Sequence, residues 1–396
     1  MLRESFTLVG VARLGGLART LSPVDRAALR LRFLTLLTVW VVVGCSAWLF
    51  ATRGATVPTA LLQRWWQWDW DRLQAIAQFG YDGPPSRYLT NQEAFFPGFP
   101  LLLRGIHAVA PNWMVAGLLI SFVAGMVAVV ALARLAELER FVNEPSAPVG
   151  HLGERAVLFL LLSPPAVFLA AGYTEALFLA FALPAWLAAR RGRWMLASLL
   201  AAGATATRIS GLFLAAALAV EFLTTRDGRR RWREAVWLAL PVGPVLLYLL
   251  YQYGRTGDWW AWLHAQQKGW YREFTNPVDS YLHTWHAAFG HQQTLGYAWM
   301  FRAELVAMAV GVLLVGWLLA SRRWGELTYV GLQVVTLGTS YWYMSVPRTT
   351  LLWWPLWIGL AQWSLRQPWV RTAYLTLIAP FMVIFTLVFA LGRWAG

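Results

Sequence analysis

Long apolar runs alternate along this chain with short segments rich in arginine. A helix that crosses the hydrocarbon core of a bilayer needs about 20 mostly apolar residues. The first such run extends from Phe33 to Phe50, and further runs follow it. The later runs are Val115–Leu132, Ala156–Gly172, Ala176–Ala189, Met195–Ala206, Gly211–Phe222, Ala235–Tyr251, Leu305–Ala320, Leu327–Tyr343, Leu351–Leu365 and Tyr374–Leu391. The pattern predicts an all-α integral membrane protein, a multi-span helical bundle with about eleven transmembrane helices.

The arginines orient the predicted bundle, because Lys and Arg gather in the cytoplasmic loops of membrane proteins. Residues 1–32 are basic and carry no convincing cleavage site, so we expect a cytoplasmic segment followed by one polytopic domain, 33–396. The clusters assigned to the cytoplasm are Arg190, Arg191 and Arg193; Arg226, Arg229, Arg230, Arg231 and Arg233; Arg322 and Arg323; and Arg366 and Arg371. Two long loops, about 51–98 and about 252–304, are then predicted to lie outside, and function is expected there.

Two segments need a special interpretation in this topology. Phe99–Ala110 is apolar but only half a span long, and counting it as a crossing would place every later arginine cluster on the wrong side. We therefore interpret it as an outer re-entrant or interfacial helix. Residues 195–222 are too long for one helix and short for two, yet both flanks are basic. They predict a hairpin with Arg208 near its outer tip.

Composition limits the classes of protein to which the chain can belong. Of its 396 residues, 58% are hydrophobic and 13% are charged, whereas about 25% of the residues in a soluble domain are charged. The net charge is +14, but the cations punctuate apolar runs and are not gathered on one soluble surface, which argues against nucleic acid as a partner. The single cysteine, Cys45, excludes a disulfide scaffold. One lysine against 32 arginines suggests a GC-rich bacterial genome.

The first outer loop contains an aspartate at an apolar position. Residues 64–80 read RWWQWDWDRLQAIAQFG and predict one interfacial helix that ends at Gly80. On that helix Asp71 belongs to a polar stripe, whereas Asp69 interrupts the apolar stripe. A carboxylate in an apolar setting is costly unless it is paired or functional. Asp69 is therefore either a catalytic group or the partner of Arg72, three residues further on.

Asp69 and Asp71 also form a D-x-D string, a pattern that could bind a divalent metal ion. Residues two apart on a helix point in nearly opposite directions, so the two carboxylates would not chelate one ion, an objection that weakens if the helix begins only at Asp69. The histidines of the second outer loop lack cysteine or carboxylate neighbours at zinc-binding spacing. We expect no metal and no cofactor.

Several motifs follow one another in the order found in a known family. The first part of the chain contains Trp68-Asp69, Ile76-Ala77, Gly80-Tyr81, AFFPGFP at 94–100, PPAVFLAAGYTEALFLA at 164–180 and ATRISG at 206–211. The second part contains Gly257-Asp258, His264-Ala265-Gln266, Trp270, Arg272 and Arg348. This ordered combination, from Trp68 to Leu360, resembles the PIG-V family, the GPI mannosyltransferase II type of polytopic glycosyltransferase with the GT-C fold.

The resemblance implies inverting transfer of mannose from polyprenyl-phosphate mannose to an acceptor hydroxyl on the outer face of the plasma membrane. The expected partners are this lipid-linked sugar donor, a lipid-linked or envelope acceptor and membrane lipids. Asp69 is the candidate general base, because a carboxylate within reach of the hydroxyl can take its proton. Arg208 and Arg348 are candidates for the donor phosphate, since arginine binds phosphate oxygens bidentately; the alternative is contact with lipid headgroups. Candidate substrate-binding residues are Asp71, Tyr81, Phe96, Tyr173, Glu175, Gln266, Trp270 and Arg272.

Two other classes of function remain open. A polytopic lipid or glycolipid transporter would usually show inverted repeats and ionisable residues in the middle of its spans. The predicted spans here hold acids almost only near their ends, and the polar residues concentrate in the two outer loops, which favours the glycosyltransferase. The second class is a non-catalytic membrane protein with the same fold, which only an activity assay would distinguish from the enzyme.

Glu175 also has an alternative role. It could form a purely structural pair with an arginine instead of binding a substrate.

Overall fold

The computed structural model describes residues 21–50, 57–83, 90–143, 151–225 and 231–395. Most of the predicted basic N-terminal segment, parts of the first outer loop and the cluster residues Arg226, Arg229 and Arg230 lie outside these ranges. Within them the chain is almost entirely helical and forms no β-strand. The prediction of an all-α membrane protein is confirmed.

Eighteen α-helices follow one another in the described residues. They are α1 (Pro23–Leu49), α2 (Val57–Gln63), α3 (Asp69–Phe79), α4 (Gly98–His107), α5 (Trp113–Asn143), α6 (His151–Leu161), α7 (Thr174–Arg190), α8 (Trp194–Thr207), α9 (Ser210–Thr224), α10 (Gly243–Thr256), α11 (Ala261–Trp270), α12 (Pro277–Phe289), α13 (Leu295–Ala320), α14 (Trp324–Gly338), α15 (Val346–Thr350), α16 (Trp354–Arg366), α17 (Pro368–Ala373) and α18 (Ala379–Ala390). Four 3₁₀ segments, Gly80–Asp82, Gln92–Ala94, Pro164–Leu169 and Trp232–Val242, and one π-helical segment, Tyr374–Ile378, connect them.

Every predicted apolar segment overlaps one of these helices or a consecutive pair of helical segments. By length and composition, five helical stretches of the described residues are able to cross a membrane. They are Pro23–Leu49, Trp113–Glu139, Trp232–Thr256, Leu295–Ala320 and Pro368–Ala390. The remaining apolar helices are shorter, so the number of eleven crossings stays a prediction.

The predicted hairpin over residues 195–222 is present as α8 and α9, which are separated at Arg208 and Ile209. With 14 and 15 residues, each helix is about 21–23 Å long, which is shorter than the hydrocarbon core of a bilayer at about 30 Å. The turn depends on Gly211, because a Cβ atom there would lie 2.3 Å from the Cα atom of Thr205. The connection between the two helices therefore holds Arg208 in a tight backbone turn.

Helix α4 covers most of Phe99–Ala110, the apolar segment that we interpreted as re-entrant or interfacial. It packs against α3, α5 and the end of α8 and buries Phe99 and Leu103. Its first residue, Gly98, allows close approach to α8, since a Cβ atom there would lie 2.6 Å from the carbonyl oxygen of Ala206. The rigid FPGFP turn thus brings the first outer loop beside Arg208.

Ion pairs at one end of the bundle connect α5 to the start of α14, and α7 to α9. Arg323 contacts both Glu139 and Glu326 at 2.7 Å, and Arg190 contacts Glu221 at 3.2 Å. These residues belong to segments that the arginine pattern assigns to the cytoplasm. Helix α7 runs away from this end over 17 residues, which is about 25 Å. Its first turn, at the opposite end of the helix, contains Glu175.

The start of the bundle is fixed by a cap and an ion pair. Ser22 and Asp25 form a reciprocal capping box at the beginning of α1, whose first residue is proline. Asp25 then accepts two hydrogen bonds of 2.8 Å from Arg134 on α5. Because the pair is bidentate, it sets both the position and the rotation of α1 against α5.

Candidate functional site

Asp69 is the first residue of α3. The sequence predicted one helix from Arg64 to Gly80, and this prediction is wrong at its beginning: α2 ends at Gln63, and α3 starts only at Asp69. Trp68, which precedes it, has a φ of 45°, a backbone conformation that a helix does not contain. The end of the helix at Gly80 is confirmed. The break turns the Asp69 carboxylate towards the interior, where its side chain is 14% exposed.

Arg348 is the cation that pairs with Asp69. Its Nη1 lies 2.6 Å from Oδ2 of Asp69, and its Nε lies 2.5 Å from Oε1 of Glu175. Arg72, the partner considered from sequence spacing, instead donates to the carbonyl of Thr90 and lies over the ring of Trp270. Burial disfavours the charge of Arg348, but the two carboxylates outweigh it and raise its pKa above the ordinary value. Arg348 is therefore a permanent cation.

Glu175 connects the two arginines that the sequence singled out. Its side chain is fully buried at the first turn of α7, and Oε1 also lies 2.5 Å from Nη1 of Arg208. The same Arg208 nitrogen donates to the hydroxyl of Thr174 at 2.7 Å. One carboxylate of α7 thus holds a cation from the α8–α9 turn and a cation from α15. Sequence motifs placed Asp69, Glu175, Arg208 and Arg348 in one family pattern, and the structure brings all four together.

Glu304 on α13 positions Arg348, and the sequence analysis missed it. It is fully buried, and its two oxygens accept hydrogen bonds from the backbone N–H groups of Ser345 at 2.7 Å and Val346 at 2.8 Å. These groups begin α15, where backbone N–H groups have no helical partner. A signal for its role did exist, because Glu304 is an acid directly before an apolar run.

Two cavities include the Asp69–Arg348 pair in their walls. The first, which we call the arginine chamber, has a volume of about 370 Å³ and contains Arg208, Arg272 and Arg348 in its wall.

Arg272 lies in the extended segment that follows α11. Backbone hydrogen bonds hold this segment to the end of α14; in one of them the N–H of Thr275 donates to the carbonyl of Thr339 at 2.8 Å. Burial and the neighbouring arginines lower the pKa of Arg272 to about 10. It remains charged at neutral pH, but it is poorly solvated and lacks a close carboxylate among the described residues.

The arginine chamber also contains polar groups with unused hydrogen-bonding capacity. Ser210, Trp262, Arg272 and Gln333 line it. Among the described residues, no hydrogen-bond partner is found for the Ser210 hydroxyl, the Trp262 indole nitrogen, Nε of Arg272 or Oε1 of Gln333, although these atoms are buried. Unsatisfied buried polar groups are rare in native proteins. A polar, negatively charged ligand would satisfy the donors of this set.

The second cavity, which we call the aromatic chamber, has a volume of about 350 Å³. It is lined mainly by rings, among them Trp68, Tyr173, Tyr297, Trp342 and Trp394. Asp69, Trp270, Ser345 and Arg348 line both chambers. The carboxylate and its arginine therefore stand at the junction of two separate binding spaces.

The remaining predicted substrate-binding residues divide into two groups. Phe96 and Gln266 line the arginine chamber, Tyr173 lines the aromatic chamber, and Trp270 lines both. Tyr81 and Asp71 line neither. Tyr81 is buried, and its hydroxyl donates to the carbonyl of Phe95 at 2.7 Å, which fixes the aromatic turn before α4. Asp71 is exposed and accepts a hydrogen bond from the indole of Trp66.

Metal binding was considered for the D-x-D string. The late start of α3 weakens the objection from helix geometry, yet Asp71 is exposed while Asp69 lines the chambers. Within the described ranges, no group of three or more His, Cys, Asp or Glu side chains is close enough together to hold a metal ion.

Comparisons with known proteins agree with the motifs of the first half of the chain. A family model described as "Mannosyltransferase (PIG-V)" matches residues 56–226. The chain is 36% identical over 155 residues to "GPI alpha-1,6-mannosyltransferase 2" of Homo sapiens, covering 37% of this chain and 29% of that protein. It is 36% identical over 159 residues to the protein of the same name from Rattus norvegicus, covering 39% of this chain and 30% of that protein. The similarity thus spans less than one third of these relatives. The matched residues 56–226, which include Asp69, Glu175 and Arg208, are thus similar to the PIG-V mannosyltransferase family.

Proposed function

We propose that this protein transfers mannose from polyprenyl-phosphate mannose to a hydroxyl group of an acceptor on the outer face of the plasma membrane. The main observation in support of the proposal is the position of Asp69. Its partly exposed carboxylate lies in the wall of a cavity that three arginines also line. The family of the matched segment and the printed names of its relatives supply the reaction class. The apolar helices support a location in a membrane.

In the proposed reaction Asp69 is the general base. It accepts the proton of the acceptor hydroxyl while that oxygen forms a bond to the anomeric carbon of mannose. The bond between the anomeric carbon and the phosphate oxygen breaks at the same time, and its electron pair stays on the lipid phosphate. Attack from the face opposite the leaving phosphate inverts the anomeric configuration. The proton is on Asp69 at the end of the step.

The arginines stabilise the leaving group. The lipid phosphate gains a second negative charge as the bond to mannose breaks, so fixed cations favour the transition state over the bound substrate. Nε and Nη1 of Arg348 contact carboxylates, which leaves Nη2 for a phosphate oxygen. Arg208 and Arg272 supply further donors to the same cavity. Since a lipid phosphate is a weak base, it departs without a general acid.

The test is label transfer by the purified chain in lipid nanodiscs, with radioactive polyprenyl-phosphate mannose as the donor and host membrane lipid or protein as the acceptor. Asp69→Asn should lower the rate by about 10²–10⁴-fold, the typical effect of losing a general base. Asp279→Asn is the matched control, because Asp279 is exposed on α12 and lines neither chamber. Thermal unfolding of both variants shows whether each has folded.

Three results would contradict parts of the proposal. Near-normal transfer by Asp69→Asn would mean that Asp69 is not the base, and loss of transfer in Asp71→Asn alone would move that role to Asp71. No transfer by the folded wild-type protein to any membrane acceptor would contradict the mannosyltransferase itself and favour a transporter or a non-catalytic protein.

A further inference from the structure

Arg32 is a buried arginine inside α1, one of the helices that are able to cross a membrane. It lies about 10 Å along the helix from Asp25, and only 1% of the residue is exposed. Among the described residues, no carboxylate forms an ion pair with it, and no hydrogen-bond partner is found for its Nε atom. A charge in an apolar bundle is costly, and an ionisable residue in a spanning helix usually has a function.

The guanidinium of Arg32 is enclosed between α5 and the 3₁₀ segment Pro164–Leu169. It lies on Gly125 of α5, where an added Cβ atom would be 2.5 Å from Nη2 and 2.8 Å from Cζ. Nη2 donates to the carbonyl of Leu169 at 2.7 Å. Gly125 thus leaves room for the arginine to reach this carbonyl. A side chain so enclosed cannot contact lipid headgroups, the common role of an arginine in a span.

The same 3₁₀ segment contacts Arg348. It packs against α15, which contains Arg348, and the ring centre of Phe168 lies 4.8 Å from the Arg348 guanidinium. The ring of Tyr173 lies at the same distance from that guanidinium, and the two rings pack edge to face with their centres 5.4 Å apart. Aromatic rings attract a cation over their faces. These two rings therefore help to hold Arg348 in place.

The 3₁₀ segment depends on contacts with other elements for its position. The hydrogen bonds inside a 3₁₀ helix have poor geometry, and Pro164 and Pro165 have no N–H to donate. Phe389 of α18 packs against Phe168, with ring centres 5.5 Å apart. The last carbonyls of a helical segment have no partner within it, and Arg32 holds the carbonyl at this end.

We propose that Arg32 is a positioning residue for Arg348. By holding the carbonyl of Leu169 it fixes the ring of Phe168, and that ring fixes the guanidinium that contacts the donor phosphate. The inference rests on the proposed function for the contact between Arg348 and phosphate. It explains why α1 contains a costly buried charge that has no acidic partner in the described part of the chain.

The first experiment measures binding of polyprenyl phosphate to the purified full-length chain in nanodiscs, together with thermal unfolding. Gly125→Ala should displace the flexible end of the Arg32 side chain, while alanine suits a helix better than glycine. We expect about fivefold weaker binding, the size of one cation–ring contact, and no fall in the unfolding temperature. Gly316→Ala in α13 is the matched control, because no atom of another described segment lies within 4 Å of the added carbon.

A second experiment asks whether Arg32 acts through Phe168. Arg32→Lys keeps the charge but loses the planar group that lies on Gly125. Arg32→Lys and Phe168→Leu should each weaken binding of polyprenyl phosphate about fivefold, and the double variant should bind as the weaker single variant does, since both changes remove the same support. Arg155→Lys is the matched control, because Arg155 also donates to a backbone carbonyl, that of Ser364 at 2.6 Å, and lines neither chamber.

The outcomes separate this inference from the proposed function. Normal binding by Gly125→Ala and Arg32→Lys would overturn the positioning role, and so would effects that multiply to about 25-fold in the double variant. No saturable binding of polyprenyl phosphate by the folded wild type would overturn the phosphate contact of Arg348 and this inference with it. If binding responds as expected while the wild type transfers no mannose, the inference stands and the transfer reaction is wrong.

Discussion

Asp69 and Arg348 are 279 residues apart in the sequence, yet the carboxylate of one lies 2.6 Å from the guanidinium of the other. The contact joins the first turn of α3 to the short helix α15, and Glu175 holds the other side of the arginine. The Arg348 side chain is 11% exposed, so its charge is largely removed from water and depends on these two partners. The proposed base and a cation for the leaving phosphate are thus parts of one network.

The first prediction concerns Arg348. Arg348→Lys keeps the charge but loses the two-pronged geometry that reaches Asp69 and Glu175 together, so transfer should fall by about tenfold or more and the half-saturating donor concentration should rise. Removing the charge instead would leave the largely buried Asp69 carboxylate without its arginine, at a cost of up to about 3–5 kcal/mol, which is why lysine is preferred. Initial rates at varied donor concentration provide the measurement.

Arg302→Lys is the control for this experiment. Arg302 contacts the ring of Trp299 and the carbonyl of Ala288 and lines neither chamber. An unchanged half-saturating donor concentration in Arg348→Lys would show that Arg208 or Arg272 holds the phosphate without it.

The second prediction concerns Glu304. In Glu304→Gln an amide N–H₂ replaces one of the two oxygens that accept from Ser345 and Val346, so a buried backbone N–H loses its acceptor, at a cost of about 1–3 kcal/mol. Because these hydrogen bonds begin α15, Arg348 should shift, and transfer should fall together with the unfolding temperature. Glu154→Gln, an exposed change on α6, should alter neither quantity. A stable, fully active Glu304→Gln protein would contradict this positioning role.

Periodicity identified Asp69 but not its partner. An aspartate that interrupts an apolar stripe is visible within one helix, whereas the spacing of residues carries no information on a contact across 279 positions. Arg72 was therefore the only partner that local geometry offered. Arg348 became a candidate through the family motif, and only the folded structure shows that it contacts Asp69.

The break before Asp69 could not be predicted from composition. Residues 64–68 contain neither Pro nor Gly, the usual signals for the end of a helix. The indole of Trp68, the residue with the unusual φ, donates to the carbonyl of Arg393, a contact that the local sequence does not reveal. The hairpin over residues 195–222, in contrast, could be predicted from the length of its apolar run and its two basic flanks, and the two helices do separate at Arg208.

The third prediction uses the turn that holds Arg208. Gly211→Ala places a Cβ atom 2.3 Å from the backbone of Thr205, so either α8 or α9 must shift and Arg208 should lose its contact with Glu175. We expect a lower unfolding temperature and weaker binding of polyprenyl phosphate. Gly254→Ala is the matched control: no atom lies within 4 Å of the added carbon, and alanine stabilises a helix by about 1 kcal/mol relative to glycine. Equal behaviour of the two variants would contradict the packing argument.

The fourth prediction concerns the orientation of the bundle in the membrane. In a background without the single cysteine, Cys45→Ser, we expect His286→Cys on the exposed face of α12 to react in intact cells with a maleimide that does not cross membranes. Arg191→Cys should react only after permeabilisation, because Arg191 is exposed beside Arg190 at the end of α7 that is remote from Glu175. Both residues are accessible in the fold, so any difference in labelling reports the side of the membrane. The reverse result, with Arg191→Cys labelled from outside, would place Asp69 and both chambers on the cytoplasmic face and would require a sugar donor that is available there.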